Sequence, residues 1–165
     1  HCWRMAMENM ETPTALIFSR QNIKDLPSGT DYESGVRRGA YEVVHEANPD
    51  VVLVASGSEV STLADTAALL ANDGIKARVV SCPSEGLFRR QPKEYQESLL
   101  PTDFPIFGLT AGLPITFEGL VGNKGKVHGL ESFGFSAPYK VLDEKLGYTA
   151  ENIYREVKEY LGGLA

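Results

Sequence analysis

Arg20 is the residue of this chain best suited to binding a ligand, and it stands in a polar run of Ser19, Arg20, Gln21 and Asn22. The run follows an apolar stretch, residues 14–19, whose β-forming residues predict a buried strand. Ligands of α/β proteins bind at the carboxyl ends of strands, and a guanidinium there can hold a phosphate or a carboxylate at two points. An exposed arginine in an ion pair explains the same pattern, so spacing alone leaves both interpretations open.

A second run of small and polar residues, ASGSEV at residues 55–60, follows a continuous apolar stretch and precedes a helical pattern. Free backbone N–H groups at such a helix start can bind an anion. The run lacks GxGxxG and GxxxxGK[ST], the patterns of dinucleotide-binding and P-loop proteins. We therefore predict a plain helix start here, with Ser58 as its cap and Gly57 in a tight turn.

The histidines and cysteines show no pattern of a metal site or of an activated nucleophile. His1, His45 and His128 lie far apart, and we predict that His45 and His128 are packed, hydrogen-bonded residues of strands. Cys2 and Cys82 form no CxxC pair, and Cys82 is predicted to be a small buried hydrophobe. Two cysteines suit a reducing cytosol. The residues alone therefore predict no catalytic residue and no metal ligand in this chain.

The composition is that of an ordinary globular protein of 165 residues, long enough for one domain and a short piece of another. The formal net charge of −6 gives no global attraction to nucleic acid or to anionic lipid. The longest aliphatic run, residues 51–55, is far shorter than the ~18–20 residues of a membrane span. We therefore expect neither nucleic acid nor a membrane as a partner.

Strand-like and helix-like patterns alternate along most of the chain, which predicts a three-layer α/β/α sandwich with a mostly parallel, mixed sheet of five strands. The apolar periodicity of the last predicted helix, with Thr149 as its cap, places Ile153 and Val157 on one buried stripe. The predicted strands are residues 41–45, 51–56, 75–81, 104–109 and 127–133. The predicted helices begin near residues 58, 92, 138 and 149.

The pattern breaks once, between residues 24 and 38, where Pro27, Ser28 and Gly29 indicate a linker or a long surface loop. Before it, residues 1–23 read as the end of a helix followed by a strand. After it, residues 39–165 form the α/β domain. We therefore divide the chain into a fragment of one domain, a linker and a second domain.

Several stretches, taken in order, resemble the C-terminal part of transketolases. They are PTALIFSRQN at residues 13–22, PDVVLVASGSEV at 49–60, KARVVSCPS at 76–84 with ESLLP at 97–101, FGFSAP at 133–138 and GYTAENI at 147–153. Each stretch alone has little specificity, but their combination in this order is specific and covers nearly the whole chain. The resemblance implies that residues 1–23 are the final helix and strand of the pyrimidine-binding domain and that residues 39–165 are the C-terminal domain.

The resemblance also implies a function. Transketolases transfer a two-carbon ketol unit from a ketose phosphate to an aldose phosphate in the pentose phosphate pathway, as cytoplasmic homodimers that use thiamine diphosphate and Mg²⁺ or Ca²⁺. Arg20 matches the arginine that binds the substrate phosphate in the family's Ser-Arg-Gln motif. The Gly-Asp-Gly motif of the metal–diphosphate site is absent from the sequence given. The chain begins at His1, so we expect a fragment that is inactive alone, binds no cofactor and acts with the remaining transketolase domains.

The sequence departs from the family where LTAG at residues 109–112 replaces a Glu-Ala-Gly type sequence and PITFE at 114–118 replaces an aromatic-rich stretch. The resemblance therefore assigns no role to residues 110–120. The Ser-Arg-Gln run disfavours the deoxyxylulose-phosphate synthases and the 2-oxoacid dehydrogenases. A dihydroxyacetone synthase, the small subunit of a split transketolase, and a non-catalytic ligand-binding or subunit-interaction domain stay open as alternatives.

Overall fold

The computed structural model describes residues 1–26 and 31–164 of the chain. Its centre is a five-stranded sheet in the order β1-β3-β2-β4-β5. The strands are β1 (Tyr41–Val44), β2 (Val51–Ala55), β3 (Ala77–Ser81), β4 (Ile106–Leu109) and β5 (Lys126–His128). Strands β2 to β5 pair in parallel, and β1 pairs antiparallel with β3 at one edge. The predicted α/β fold with a mixed, mostly parallel sheet of five strands is confirmed.

Helices cover both faces of this sheet. They are α1 (Cys2–Glu8), α2 (Tyr32–Arg38), α3 (Glu59–Asn72), α4 (Glu85–Arg89), α5 (Lys93–Leu99), α6 (Ile115–Val121), α7 (Tyr139–Leu146) and α8 (Ala150–Gly162). Within the described part of the chain, no helix combines the length and the apolar character that a membrane crossing requires.

The two cores lie on opposite faces of β2, whose five residues are all buried. Val51 and Leu53 pack with α3 and α8, and Val52 and Val54 pack with α4, α5 and α6. Side chains of a strand alternate between its faces, so a continuous apolar strand must be covered on both. Each fully buried Val or Leu contributes about 1.5–3 kcal/mol relative to an exposed position. Burial of this strand therefore contributes strongly to the stability of the domain.

Helix α8 packs on the sheet through the apolar stripe that its periodicity predicts. The Thr149 side chain accepts a hydrogen bond from the Asn152 backbone N–H at 3.3 Å, and Ile153 and Val157 are fully buried against the sheet. The Tyr160 hydroxyl accepts a hydrogen bond from the Ile106 backbone N–H at 3.1 Å. The cap, the stripe and this bond together fix the helix over β4.

The predicted strand at residues 14–19 is wrong for this chain. These residues carry no regular secondary structure, Ile17 is 95% exposed and Phe18 is 63% exposed. A strand needs a neighbour for its backbone hydrogen bonds, and no strand of residues 1–26 and 31–164 pairs with this segment. The last predicted strand is also too long, since β5 ends at His128 and Phe133 lies 97% exposed in the loop beyond it.

The prediction of a surface loop over residues 24–38 is wrong where α2 forms. The Asp31 side chain accepts a hydrogen bond from the Ser34 backbone N–H at 3.1 Å, and Gly39 ends the helix with a positive φ of 87°. Pro27, Ser28 and Gly29, on which the linker prediction also rested, lie outside the described residues. The division of the chain into a fragment, a linker and a domain stays a prediction.

Candidate functional site

The turn between β2 and α3 brings backbone and side-chain polar groups to the carboxyl end of the sheet. Gly57 adopts a φ of +64°, which a side chain would strain, and so allows the tight turn that the sequence predicts. Ser58 precedes the helix, but its side chain makes no capping bond. Its hydroxyl donates instead to a Glu59 carboxylate oxygen at 2.7 Å. The predicted capping role of Ser58 is therefore wrong, and its hydroxyl orients Glu59.

A cleft of about 220 Å³ opens beside this turn. Three parts of the chain form its walls: the segment of residues 21–24, the first two turns of α3, and α7 with Tyr148. The side chains most relevant to its chemistry are those of Gln21, Asn22, Glu59, Tyr139, Asp143 and Tyr148. Polar groups that are far apart in sequence thus meet where α/β domains bind their ligands.

Two acidic side chains give the cleft its electrostatic character. Burial raises the pKa of Glu59, against the lowering effect of the Ser58 hydroxyl, and the charge of Asp143 raises it further. Burial also raises the pKa of Asp143. Among residues 1–26 and 31–164, no basic group lies within 4.0 Å of either carboxylate, and Lys24 at the rim pairs with Asp65 at 2.5 Å. The cleft is therefore unfavourable for a phosphate or a carboxylate ligand.

Tyr148 joins the cleft to the sheet. Its hydroxyl donates to the Thr110 carbonyl oxygen at 2.8 Å, at the carboxyl end of β4. Burial, with a further contribution from the Glu59 charge, raises the pKa of Tyr148 to about 12. The hydroxyl is therefore a hydrogen-bond donor at neutral pH and does not act as a base there.

Arg20 lies next to this cleft in sequence, since Gln21 and Asn22 line it. The Arg20 side chain is exposed and makes no hydrogen bond or ion pair with residues 1–26 or 31–164. The Ser19 hydroxyl donates to the Gln21 carbonyl oxygen at 3.4 Å across the arginine. No strand ends here, so Arg20 does not stand at a strand terminus as predicted. Its guanidinium is nevertheless available to an anionic ligand.

His128 is a packed residue of β5, as predicted. Its Nδ1 lies 3.1 Å from both Glu156 carboxylate oxygens, and its Nε2 lies 3.1 Å from the Leu146 carbonyl oxygen. Burial raises the pKa of Glu156, but the His128 and Asn152 hydrogen bonds outweigh it, and the net effect is a lowered pKa. His128 therefore connects β5 to α8 and to the end of α7, which is a structural role.

The predictions for the other two candidates have opposite outcomes. The His45 side chain is 75% exposed, just beyond β1, and its Nδ1 contacts Glu42 at 2.5 Å. The prediction that it is packed is wrong, because the strand ends one residue earlier. Cys82 is buried as predicted, and burial raises the pKa of its thiol to about 12. Neither residue joins the cleft, and Cys82 is an inert part of the core.

The sequence does not predict that Glu59 and Asp143 line the same cleft. Glu59 lies in the first turn of α3, where an acidic residue complements the helix dipole and needs no other explanation. Asp143 lies on α7, 84 residues further along the chain, and the sequence holds no local signal that the two meet. The alternation of buried strand and helix predicts the carboxyl end as the place of a site, but not which side chains converge there.

A mostly parallel sheet covered on both faces, with a polar cleft at the carboxyl ends of its strands, is the arrangement in which α/β domains commonly bind ligands. Residues 39–149 match the family described as the Transketolase-like TK C-terminal domain. The chain belongs to this family, which confirms the resemblance found in the sequence.

Transketolases are similar to the chain over nearly its full length. Transketolase 2 of Vibrio parahaemolyticus is 38% identical over 161 residues, 96% of this chain and 24% of that protein. The transketolase of Staphylococcus epidermidis is 40% identical over 159 residues, 94% of this chain and 24% of that protein. The structure of the transketolase from Leishmania mexicana matches with a TM-score of 0.89 and 38% identity, over 98% of this chain and 23% of that one. The chain thus spans about a quarter of the length of these relatives.

Proposed function

We propose that this chain is the C-terminal part of a transketolase. Residues 39–165 form its C-terminal domain, residues 1–23 end its pyrimidine-binding domain, and residues 24–38 join the two. The whole enzyme, a cytoplasmic homodimer, transfers a two-carbon ketol unit from a ketose phosphate to an aldose phosphate. Family membership and the alignment with about a quarter of each relative support this proposal.

The observation that carries the proposal is the guanidinium of Arg20, which stands in a Ser-Arg-Gln run and has no hydrogen bond or ion pair with any described residue. A guanidinium binds phosphate through two parallel charge-assisted hydrogen bonds and thereby orients the sugar. The transketolase of Pichia stipitis, whose structure in complex with sedoheptulose 7-phosphate matches this chain with a TM-score of 0.88 at 29% identity, binds such a ligand. We infer that Arg20 holds the phosphate of the substrate and takes no part in bond making or breaking.

The thiamine diphosphate of the whole enzyme would supply the carbanion that attacks the donor carbonyl. Its metal–diphosphate group needs a cluster of ligands, and no three His, Cys, Asp or Glu side chains within residues 1–26 and 31–164 are grouped to hold a metal ion. Residues 1–26 and 31–164 therefore do not fit that group, and no catalytic step is assigned to them. We propose that other domains hold the cofactor and that the chain alone is inactive.

The surface of the first segment supports its assignment as part of another domain. Trp3 and Phe18 stack with their ring centroids 6.3 Å apart, and both remain exposed together with Met7 and Ile17. Apolar side chains exposed in a contiguous group indicate an interaction surface. We propose that the remaining transketolase domains cover this group in the whole enzyme.

The test uses the whole enzyme with Arg20→Ala. We expect the KM for a phosphorylated sugar to rise about tenfold to hundredfold, since a hydrogen-bonded contact to a charged group contributes about 1.5–3 kcal/mol. The KM for the unphosphorylated sugar should change little, and kcat should be retained. Arg90→Ala is the matched control, because Arg90 is an exposed arginine outside the cleft. An equal rise for both sugars would remove the phosphate role.

The inactivity of the chain alone has its own test. The purified 165-residue chain is assayed with thiamine diphosphate, Mg²⁺ and a ketose–aldose phosphate pair. We expect no turnover, because the chain lacks a grouped set of metal ligands in the part that the structure describes. Measurable turnover that depends on the cofactor would contradict the proposal that the chemistry lies in other domains.

A further inference from the structure

We propose that the cleft between the start of α3 and α7 binds a small, uncharged, polyhydroxylated molecule such as a free sugar or a sugar alcohol. This site differs in chemistry from the Arg20 contact, which requires a phosphate. The proposal does not depend on the ketol transfer described above, because it rests only on the walls of the cleft.

The size of the cleft sets the size of its ligand. Its volume of about 220 Å³ lies below the range of about 300–1,000 Å³ that is typical of sites for drug-sized ligands. The walls come from three separate parts of the chain, so a ligand would contact the 21–24 segment, α3 and α7 at once. A molecule of four to six carbons, about the size of a tetrose or hexose, suits these dimensions.

Several polar side chains of the cleft keep hydrogen-bonding capacity for a ligand. Gln21, Asn22, Tyr139 and Asp143 line it, and their side chains make no hydrogen bond with any residue that the structure describes. An amide offers two donors and an acceptor, a phenol offers one of each, and a carboxylate accepts several bonds. A chain of hydroxyl groups can both donate and accept, and so it can satisfy all three kinds of group.

The charges of the cleft select against ionic ligands. Glu59 and Asp143 repel anions, and Lys24, the one basic residue among the described residues of its walls, is paired with Asp65. Burial raises the pKa of both carboxyl groups, so their surroundings disfavour full charges. A hydroxyl group can bond to a carboxyl in either protonation state, whereas a cation gains only from the ionised one. Hydroxyl groups therefore gain from both carboxyls in either protonation state, which favours an uncharged polyol.

The aromatic side chains add an apolar surface to these polar groups. Tyr139 lies at the start of α7 and is 44% exposed, and Tyr148 is fixed by its bond to Thr110. An aromatic ring presents a large rigid face at little cost in conformational entropy, and the C–H groups of a sugar can pack on such a face. The Tyr148 ring, held by its hydrogen bond, and the more exposed Tyr139 ring lie beside the amide and carboxyl groups, which is a suitable arrangement for a polyol.

The test is a titration of the 165-residue chain, followed by the chemical shifts of its backbone amides. The probes are ribose, erythritol, ribose 5-phosphate and 1,4-diaminobutane. We expect saturable shifts with ribose or erythritol at residues 57–62 and 139–143. Ribose 5-phosphate and 1,4-diaminobutane should bind the cleft at least about tenfold more weakly than the better polyol.

Two substitutions identify the contacts. Asp143→Asn and Tyr139→Ala should each weaken polyol binding about tenfold, the loss expected when one bond to a charged group or one ring contact is removed. Glu94→Ala, an exposed acidic residue on α5 outside the cleft, is the matched control and should bind as the unaltered chain does. Unchanged shifts outside the cleft verify that each variant is folded.

Three results would overturn the proposal: shifts that never saturate with either polyol, saturable shifts confined to another surface, or tighter binding of the phosphate or the diamine. Loss of the polyol site would leave the Arg20 proposal intact, since that one is measured by KM values in the whole enzyme. The two can therefore fail separately.

Discussion

Replacement of Arg78 should destabilise the domain more than loss of any exposed arginine. Arg78 is only 9% exposed on β3. Its Nη1 donates to the Ser98 carbonyl oxygen at 2.8 Å, and its Nη2 donates to the Glu46 carbonyl oxygen at 2.8 Å. Its Nε also lies 3.2 Å from a Glu42 carboxylate oxygen. One guanidinium thus connects β1, the turn after it and the end of α5 to β3.

The expected magnitude follows from what Arg78→Ala leaves behind. Two carbonyl oxygens lose their donor, and the Glu42 carboxylate, whose side chain is 24% exposed, loses its counter-charge. Removing one partner of a buried ion pair costs about 3–5 kcal/mol, and the partial exposure of Glu42 places this case near the lower limit. We therefore expect a loss of about 3 kcal/mol in the free energy of unfolding. For a chain of this length, that lowers Tm by about 6–12 °C.

Arg78→Lys separates charge from geometry. An ammonium group keeps the charge but lacks the planar fork that reaches Ser98 and Glu46 together. We expect it to recover about half of the loss. Urea unfolding followed by circular dichroism measures both variants, with Arg90→Ala as the exposed control that should stay within about 0.5 kcal/mol of the unaltered chain. An Ala variant that loses less than about 1 kcal/mol, or a Lys variant as stable as the parent, would refute the reasoning.

Two further predictions follow from the buried titratable groups. Burial raises the pKa of Glu59 above its ordinary value of 4.5, so the folded state favours the protonated carboxyl. The free energy of unfolding is therefore highest below that value and falls as pH rises through the raised pKa. Glu59→Gln should therefore be more stable than the parent at pH 7 and lose this advantage near pH 4, as measured by urea unfolding; a larger advantage at pH 4 would contradict this. Iodoacetamide at pH 8 should label Cys2 once and leave Cys82 unlabelled until urea unfolds the chain, because burial raises the pKa of the Cys82 thiol to about 12. Two labels added at equal rates to the folded chain, by intact mass, would show that Cys82 is accessible.

The parts of the fold that could be predicted from sequence are those whose signal is local and strong. Strand β2 is a continuous apolar run, and α8 combines a capping threonine with a buried stripe. In both cases the residue pattern itself records which sides are covered by the rest of the domain. These elements also fix the class of fold, because strands covered on both faces require helices on both sides of the sheet.

The sequence predictions are wrong where an element needs another element to pair with, or where local signals for and against a helix compete. Residues 14–19 have the composition of a strand, but a strand forms only where another can pair with it. Helix α2 has an Asp31 cap and a terminal Gly39, yet Gly35 in its interior weakens the helical signal over only seven residues. Glycine is nevertheless required at position 35, because an added Cβ would lie 2.5 Å from the Tyr41 side chain and clash with it. Packing against Tyr41, more than the helical signal of its own residues, therefore determines that α2 forms.

For the candidate site too, the local features could be predicted from the sequence and the long-range ones could not. The end of β2 could be located from the sequence, because an apolar strand followed by a Gly-containing turn and a helix predicts a carboxyl edge. The contribution of α7 could not be predicted, because only the tertiary fold places Asp143 in the same cleft as Glu59. Ser58 illustrates the limit on a finer scale, since one hydroxyl can either cap the helix or bond to the neighbouring carboxylate, and the second option prevails.

The antiparallel direction of the edge strand β1 determines at which rim of the sheet the preceding part of the chain enters the domain. Strand β1 runs opposite to its neighbour, so its first residue, Tyr41, sits beside the last residue of β3, Ser81. A parallel β1 would begin next to Ala77, four residue steps or roughly 13 Å away at the opposite rim. The reversal delivers the preceding polypeptide to the same rim as the start of α3. A single inverted strand thereby places the chain that enters the domain at the rim where residues 21–24 and the start of α3 line one cleft.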